Sequence, residues 1–138
     1  MTIIKKEWGS EDHTWIIISG WAVLAEHVIL SHKKSHKIYI SCYNPYELAK
    51  MSEKWQQLIT TSSYSVLGFS LGGLWLSKHH DLFSQAKQCV FVGIRKTYDM
   101  SLIRPLQNKL IQDKQHTLNQ FYQQCVVGID AKKQFIAK

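Results

Sequence analysis

The sequence predicts an α/β fold, a parallel sheet of about four strands with flanking helices, followed by a helical tail. Three observations carry this reading. Four short apolar runs rich in β-branched and aromatic residues recur along the chain, segments of helical length separate them, and after residue 100 the apolar residues keep helical spacing. The first run, Trp15 to Ser19 (WIIIS), is continuously apolar and stops at Gly20, as a strand buried on both faces does. Ile38 to Cys42 (IYISC), Tyr64 to Phe69 (YSVLGF) and Cys89 to Ile94 (CVFVGI) are the second, third and fourth runs. Between the first two, Trp21 to Leu30 is expected to be helical. Pro45 to Ile59 is expected as one helix, with Asn44 at its N-cap, Pro45 at the first helical position and Leu48, Met51, Trp55, Leu58 and Ile59 at helical spacing. Leu71 to Phe83 is expected to leave the third strand directly as another helix. This alternation specifies a parallel sheet covered on both faces. From Ser101 onward, Leu102, Leu106, Leu110, Leu118, Phe121 and Tyr122 mark helices, while Cys125 to Ile129 reads either way. Residues 1–100 are therefore expected to form the core, and 101–138 a separate helical part.

Bulk composition bounds the function. A chain of 138 residues with 45% hydrophobic and 20% charged residues has the material for one sizeable core and is not a disordered tail. The start, Met1 to Trp8, lacks the apolar region of a secretory signal, and the stretch from Tyr64 to Leu76 is too short and too glycine-rich to span a bilayer. The three cysteines (Cys42, Cys89, Cys125) include no C-x-x-C pair, which fits a reducing, cytoplasmic setting. A formal charge of +7, from 17 basic against 10 acidic side chains, favours an acidic partner, either nucleic acid or an acidic protein. No nucleic-acid recognition motif accompanies the charge.

One motif carries chemistry. Residues 68–73 read GFSLGG and contain G-x-S-x-G, the pattern of a serine placed on a sharp turn from strand to helix. Such a turn strains the serine backbone, and glycine two residues to either side keeps its neighbours from clashing. The apolar run SVLGF feeds into the motif and the apolar segment LGGLWLS leaves it, which is the context the motif requires. Ser70 is the expected nucleophile. Ser19, Gly20 and Trp21 follow the first strand, at the position where hydrolases with this elbow carry a loop that donates one backbone N–H to the oxyanion, the other donor being the N–H of the residue after the nucleophile, here Leu71.

At these residues the sequence resembles the pimeloyl-acyl-carrier-protein methyl ester esterases, carboxylesterases of biotin synthesis in the α/β-hydrolase superfamily. WIIISGWA (Trp15 to Ala22) is similar to the family's strand ending in H-G-W-G, and GFSLGG is similar to its G-x-S-x-G-G. Leu102 to Gly128 resembles the start of the family's helical cap. The resemblance implies Ser70 as nucleophile, Trp21 and Leu71 as oxyanion and substrate contacts, and Phe121, Tyr122, Gln123, Gln124 and Cys125 as lining of an acyl pocket. It implies an acidic acyl-carrier protein as substrate carrier, no metal and no organic cofactor, and neither nucleic acid nor membrane as partner. The chain departs from the family in three places. Ser19 stands for a histidine, Cys125 stands for a glutamine, and IRKTY follows the fourth strand in place of a small polar run. The family's triad Asp and His follow later strands, so the sequence is expected to be the N-terminal part of such an enzyme, with an open sheet edge that invites self-association. The alternative is a truncated, non-catalytic hydrolase-like fragment that at most binds acyl-carrier protein.

Other candidates carry less. His79 and His80 follow Ser70 by nine and ten residues on the expected helix, roughly 14 Å along its axis, too far to serve as its base. His27, His116 and Asp99 are further candidates for the missing base and acid. His32 and His36 have metal-pair spacing but sit among Lys33, Lys34 and Lys37, whose charge opposes a cation.

Overall fold

The computed structural model describes residues 2–28, 32–42, 44–59 and 63–125. It divides into two compact units, Met1–Arg95 and Lys96–Lys138. The first is an α/β fold on a five-stranded sheet of order β1-β3-β2-β4-β5, with β1 Thr2–Glu7, β2 Glu11–Ile18, β3 Ser35–Cys42, β4 Tyr64–Phe69 and β5 Cys89–Val92. The pairs β2·β3, β2·β4 and β4·β5 are parallel, and β1 runs antiparallel to β3, with Ile4 opposite Ile40. The mostly parallel sheet agrees with the sequence reading, and each expected apolar run lies within or overlaps a strand. The added strand, β1, hides in TIIKKE, where two lysines interrupt the apolar pattern. It is an exposed edge whose Ile4 alone packs on the core, and edge strands carry lysine.

The two faces of the sheet follow from strand alternation. On one face Ile16, Ile18, Ile38, Ile40 and Val66 pack under α1 Pro45–Ala49, α2 Ser52–Leu58 and α3 Leu71–Lys78. On the other, Trp15, Ile17, Tyr39 and Leu67 lie under Ala25 of the short 3-10 turn Ala25–His27 and Val28, the residue that follows it.

Three expected helices are corrected. The helix expected over Trp21 to Leu30 is a turn at Trp21 and Ala22 followed by that 3-10 turn; Ala22 takes φ 61°, a left-handed conformation that stops helix propagation, and residues 29 and 30 lie outside the described residues. The helix expected over Pro45 to Ile59 starts as read, with Asn44 accepting from the Tyr46 N–H at 3.0 Å, but breaks into α1 and α2. At the break Leu48 O accepts both the Met51 N–H at 3.2 Å and the Trp55 indole N–H at 3.0 Å, so a buried side chain completes what a continuous helix would have satisfied. The helix expected over Leu71 to Phe83 ends at Lys78 and continues as a 3-10 turn, His80–Phe83. His79 closes it: its Nδ1 lies 2.9 Å from Trp75 O, and its ring stacks on the Trp75 indole at 4.6 Å.

The second unit holds α4 Met100–Gln112 and α5 Lys114–Cys125, as the helical spacing predicts. Asp99 caps α4 by accepting from the Ser101 N–H at 2.8 Å, and Asp113 ends it while accepting the His116 N–H at 3.0 Å. Residues 126–129, the stretch left open between strand and helix, lie outside the described residues. Among the described residues no helix is long and apolar enough to cross a membrane.

Candidate functional site

Ser70 stands between the last residue of β4 and the first of α3, at φ 52° and ψ −118°. A side chain other than glycine is strained there by about 1–3 kcal/mol, and the surroundings must hold it. They do so on three sides. The Ser70 N–H donates to Val92 O at 2.8 Å, extending the β4·β5 ladder by one residue, and Ser70 O accepts from the Leu74 N–H at 3.0 Å, opening α3. The third side is the end of β2.

The parallel register of β2 and β4 sets Ile18 opposite Gly68, and two residues further on it carries Gly20 alongside Ser70. The approach is close: a Cβ on Gly20 would lie 2.6 Å from the Ser70 Cβ and 2.9 Å from Phe69 O. Any side chain at residue 20 would displace the elbow. Gly72 performs the corresponding role from the helix side, where a Cβ would collide with the backbone carbonyls of Ile18 and Ser19. The glycines of GFSLGG and the glycine after WIIIS thus bring α3, β2 and Ser70 into backbone contact.

The sheet topology makes this place a crevice. After β2 the chain turns to the face of Trp15 and Ile17, where Ala25 packs; after β4 it turns to the opposite face, where Trp75 and Leu76 of α3 pack. Neighbouring parallel strands whose following segments part to opposite faces leave a cleft at their carboxyl ends, the usual ligand position in open α/β sheets.

The structure brings Ser70, Leu71 and the Gly20–Trp21 turn to one end of the sheet. Ser70, Leu71 and Trp21 are all half-buried, and Leu71 is the first residue of α3. Ser19, expected in the loop beside the site, is buried at 2% exposed, and its hydroxyl has no hydrogen-bond partner among the described residues, which the sequence reading did not foresee. Its signals in the sequence were a polar residue ending an apolar strand and its place where the resembled family has a histidine. Phe121, Tyr122, Gln123, Gln124 and Cys125 all lie on α5 in the second unit, with the Phe121 and Tyr122 rings 5.8 Å apart.

Among the hydrogen bonds between described residues, none joins the Ser70 hydroxyl to an imidazole or a carboxylate. Five of the named candidates, His79, His80, Asp99, His32 and His36, have contacts elsewhere, while His27 lies in the 3-10 turn Ala25–His27 and His116 on α5. His79 Nδ1 bonds Trp75 O, and His80 Nδ1 lies 3.2 Å from Ser77 O. Asp99 caps α4, and that backbone hydrogen bond holds its carboxyl below the ordinary aspartate range. His32 stacks on Trp15 at 5.3 Å, and His36 accepts the Gly9 N–H at 2.9 Å. Among the described residues, no group of three or more His, Cys, Asp or Glu side chains is placed to hold a metal ion. No protein-family model matches the chain, and no curated protein matches it significantly.

Proposed function

We propose that the chain is a serine carboxylesterase of the α/β-hydrolase type, with Ser70 as nucleophile. The observation that carries the reading is the strained Ser70 backbone at the junction of β4 and α3, with Gly20 packed against its Cβ. A residue is held at such φ and ψ only where the fold over-determines it, and a nucleophile exposed at the end of a sheet is a reason to do so. In the proposed reaction Ser70 Oγ attacks an ester carbonyl, and the N–H of Leu71, at the positive end of α3, faces the developing oxyanion with the N–H of Trp21. The ester C–O bond breaks and the departing alkoxide takes up the proton that the Ser70 hydroxyl gives up, leaving as alcohol; water then cleaves the acyl-serine bond, releasing the acid and restoring the hydroxyl. The resemblance of WIIISGWA and GFSLGG to the pimeloyl-acyl-carrier-protein methyl ester esterases supports a methyl ester on an acidic carrier protein, acting in the cytoplasm, and the +7 charge suits such a carrier. In those esterases the residues that match Phe121 to Cys125 line the acyl pocket.

The test is covalent labelling. Incubation with a fluorophosphonate should add one adduct to Ser70, and hydrolysis of a short-chain nitrophenyl ester should vanish in Ser70→Ala. Equal hydrolysis by both proteins removes the catalytic claim.

The second reading is a hydrolase-like fragment that binds acyl-carrier protein without turnover. It is favoured by one observation, that no described histidine is hydrogen-bonded to Ser70, since a serine without a base is a poor nucleophile. Salt-sensitive binding of an acyl-carrier protein, without serine-dependent hydrolysis, is its expected result.

A further inference from the structure

At the end of the sheet opposite Ser70, a cavity of about 90 Å³ opens between the strand starts and the end of α2. By volume it has room for roughly six water-sized groups. Its walls differ in character. Ile38 and Leu58 supply an apolar surface, and Trp8, 75% exposed, stands edge-on to the His36 ring at 5.2 Å and 77°. An indole this exposed beside a cavity is available to cover a flat ligand.

The polar groups fix the sign of that ligand. His36 Nδ1 accepts the Gly9 N–H at 2.9 Å, so in the neutral ring the hydrogen sits on Nε2 and the imidazole is a donor. Lys6 lines the cavity and forms no ion pair with the described residues. Glu7 and Lys37 also line it, but they neutralise each other: Lys37 donates to Glu7 Oε1 at 2.9 Å and the Tyr39 hydroxyl donates to Oε2 at 3.2 Å. The Lys37 bond holds the Glu7 carboxyl below its usual range, so this pair adds no net charge. Among the described residues this leaves the Lys6 ammonium and the His36 imidazole donor, with the neutral Thr14 and Gln57 side chains and an apolar wall beside an exposed indole.

We propose that this cavity binds a small monocarboxylate carrying a flat apolar body, with the carboxylate toward Lys6 and His36 and the body between Trp8, Ile38 and Leu58. The site is separate from Ser70 and stands or falls independently of the esterase reading.

The probe is benzoate, with benzamide as its neutral counterpart and acetate as the carboxylate without the ring, each titrated into the ¹⁵N-labelled full chain. Benzoate is expected to shift the Trp8 indole N–H and the backbone amides of Lys6, His36 and Ile38 along one saturating curve. Benzamide should bind about fivefold more weakly, the scale of one partly exposed charge contact, and Lys6→Gln should remove that difference. Lys6 is exposed, so the variant is expected to fold. Equal affinity for benzoate and benzamide overturns the anionic assignment, and acetate matching benzoate overturns the apolar wall. Shifts spread over Lys33, Lys34 and the rest of the basic surface, without saturation at Trp8, overturn the site.

Discussion

The two faces of the sheet are stabilised differently, although one central strand supplies both. From β2, Ile16 and Ile18 go to one face and Trp15 and Ile17 to the other, all of them buried. The first face lies under three helices. Trp55 stacks on Trp75 at 5.3 Å and meets the edge of Phe83 at 5.3 Å, a close-packed aromatic cluster. The second face, among the described residues of this unit, lies under one 3-10 turn and relies more on polar contacts. The Ala25 N–H donates to Ser41 Oγ at 2.8 Å, Tyr39 bonds Glu7, and His13 lies 3.1 Å from Ser65 Oγ. Burial, and then the Glu7 charge, push the Tyr39 hydroxyl up to about 12, so it remains a donor. The lesson is that buried apolar volume secures one side and hydrogen-bond geometry the other, with Ser70 at the seam where the chain parts to both.

Substitutions sharpen or break this contrast. Trp55→Ala, at a side chain 1% exposed, should cost about 3–5 kcal/mol in urea unfolding, because it leaves a cavity that three helices cannot collapse into. Leu67→Ala on the second face should cost about 2 kcal/mol, the low end for such a truncation, since a lightly covered site relaxes more easily. If the order reverses, helix coverage is not what distinguishes the faces. At the seam, Ser70→Gly should raise stability by about 1 kcal/mol by releasing the strained φ, whereas Ser70→Ala should leave it nearly unchanged. A neutral result for glycine would mean that the elbow stores no strain.

The smallest effect is a pH dependence on the second face. Burial, with the positive charges of Lys87 and His32 adding to it, holds the His13 ring below the usual histidine range. The unfolded chain therefore takes up the proton first. Stability present above about pH 6.5 is lost as the pH falls through the depressed folded value. The melting temperature should fall between about pH 7.5 and about pH 5.5, and His13→Gln should flatten part of that slope. An unchanged slope removes His13 as its source.

The central strands were legible because burial on both faces demands an unbroken apolar run, which IIIS and SVLGF display. The edges were not: in β1 two lysines follow two isoleucines and break the apolar run, and its pairing depends on β3, thirty to forty residues away. Helix existence was legible from spacing, but helix endings were decided by side chains competing for backbone carbonyls, Trp55 at Leu48 O and His79 at Trp75 O. For the candidate site, GFSLGG named Ser70 and its glycines. That the loop after WIIIS belongs to this site was expected from its place after the first strand, but how closely Gly20 approaches Ser70, and that the buried Ser19 hydroxyl has no partner among the described residues, depend on a register between strands that no local pattern encodes.

By itself, then, the sequence determined the α/β class, the parallel core and the serine between strand and helix, because each rests on local periodicity or on glycine's missing side chain. Tertiary structure alone decided which strand lies beside which, that β2 delivers Gly20 to Ser70, and that Trp8, His36 and Leu58 share one cavity. Those are contacts between residues distant along the chain, fixed by how apolar faces stack rather than by any segment's own preference.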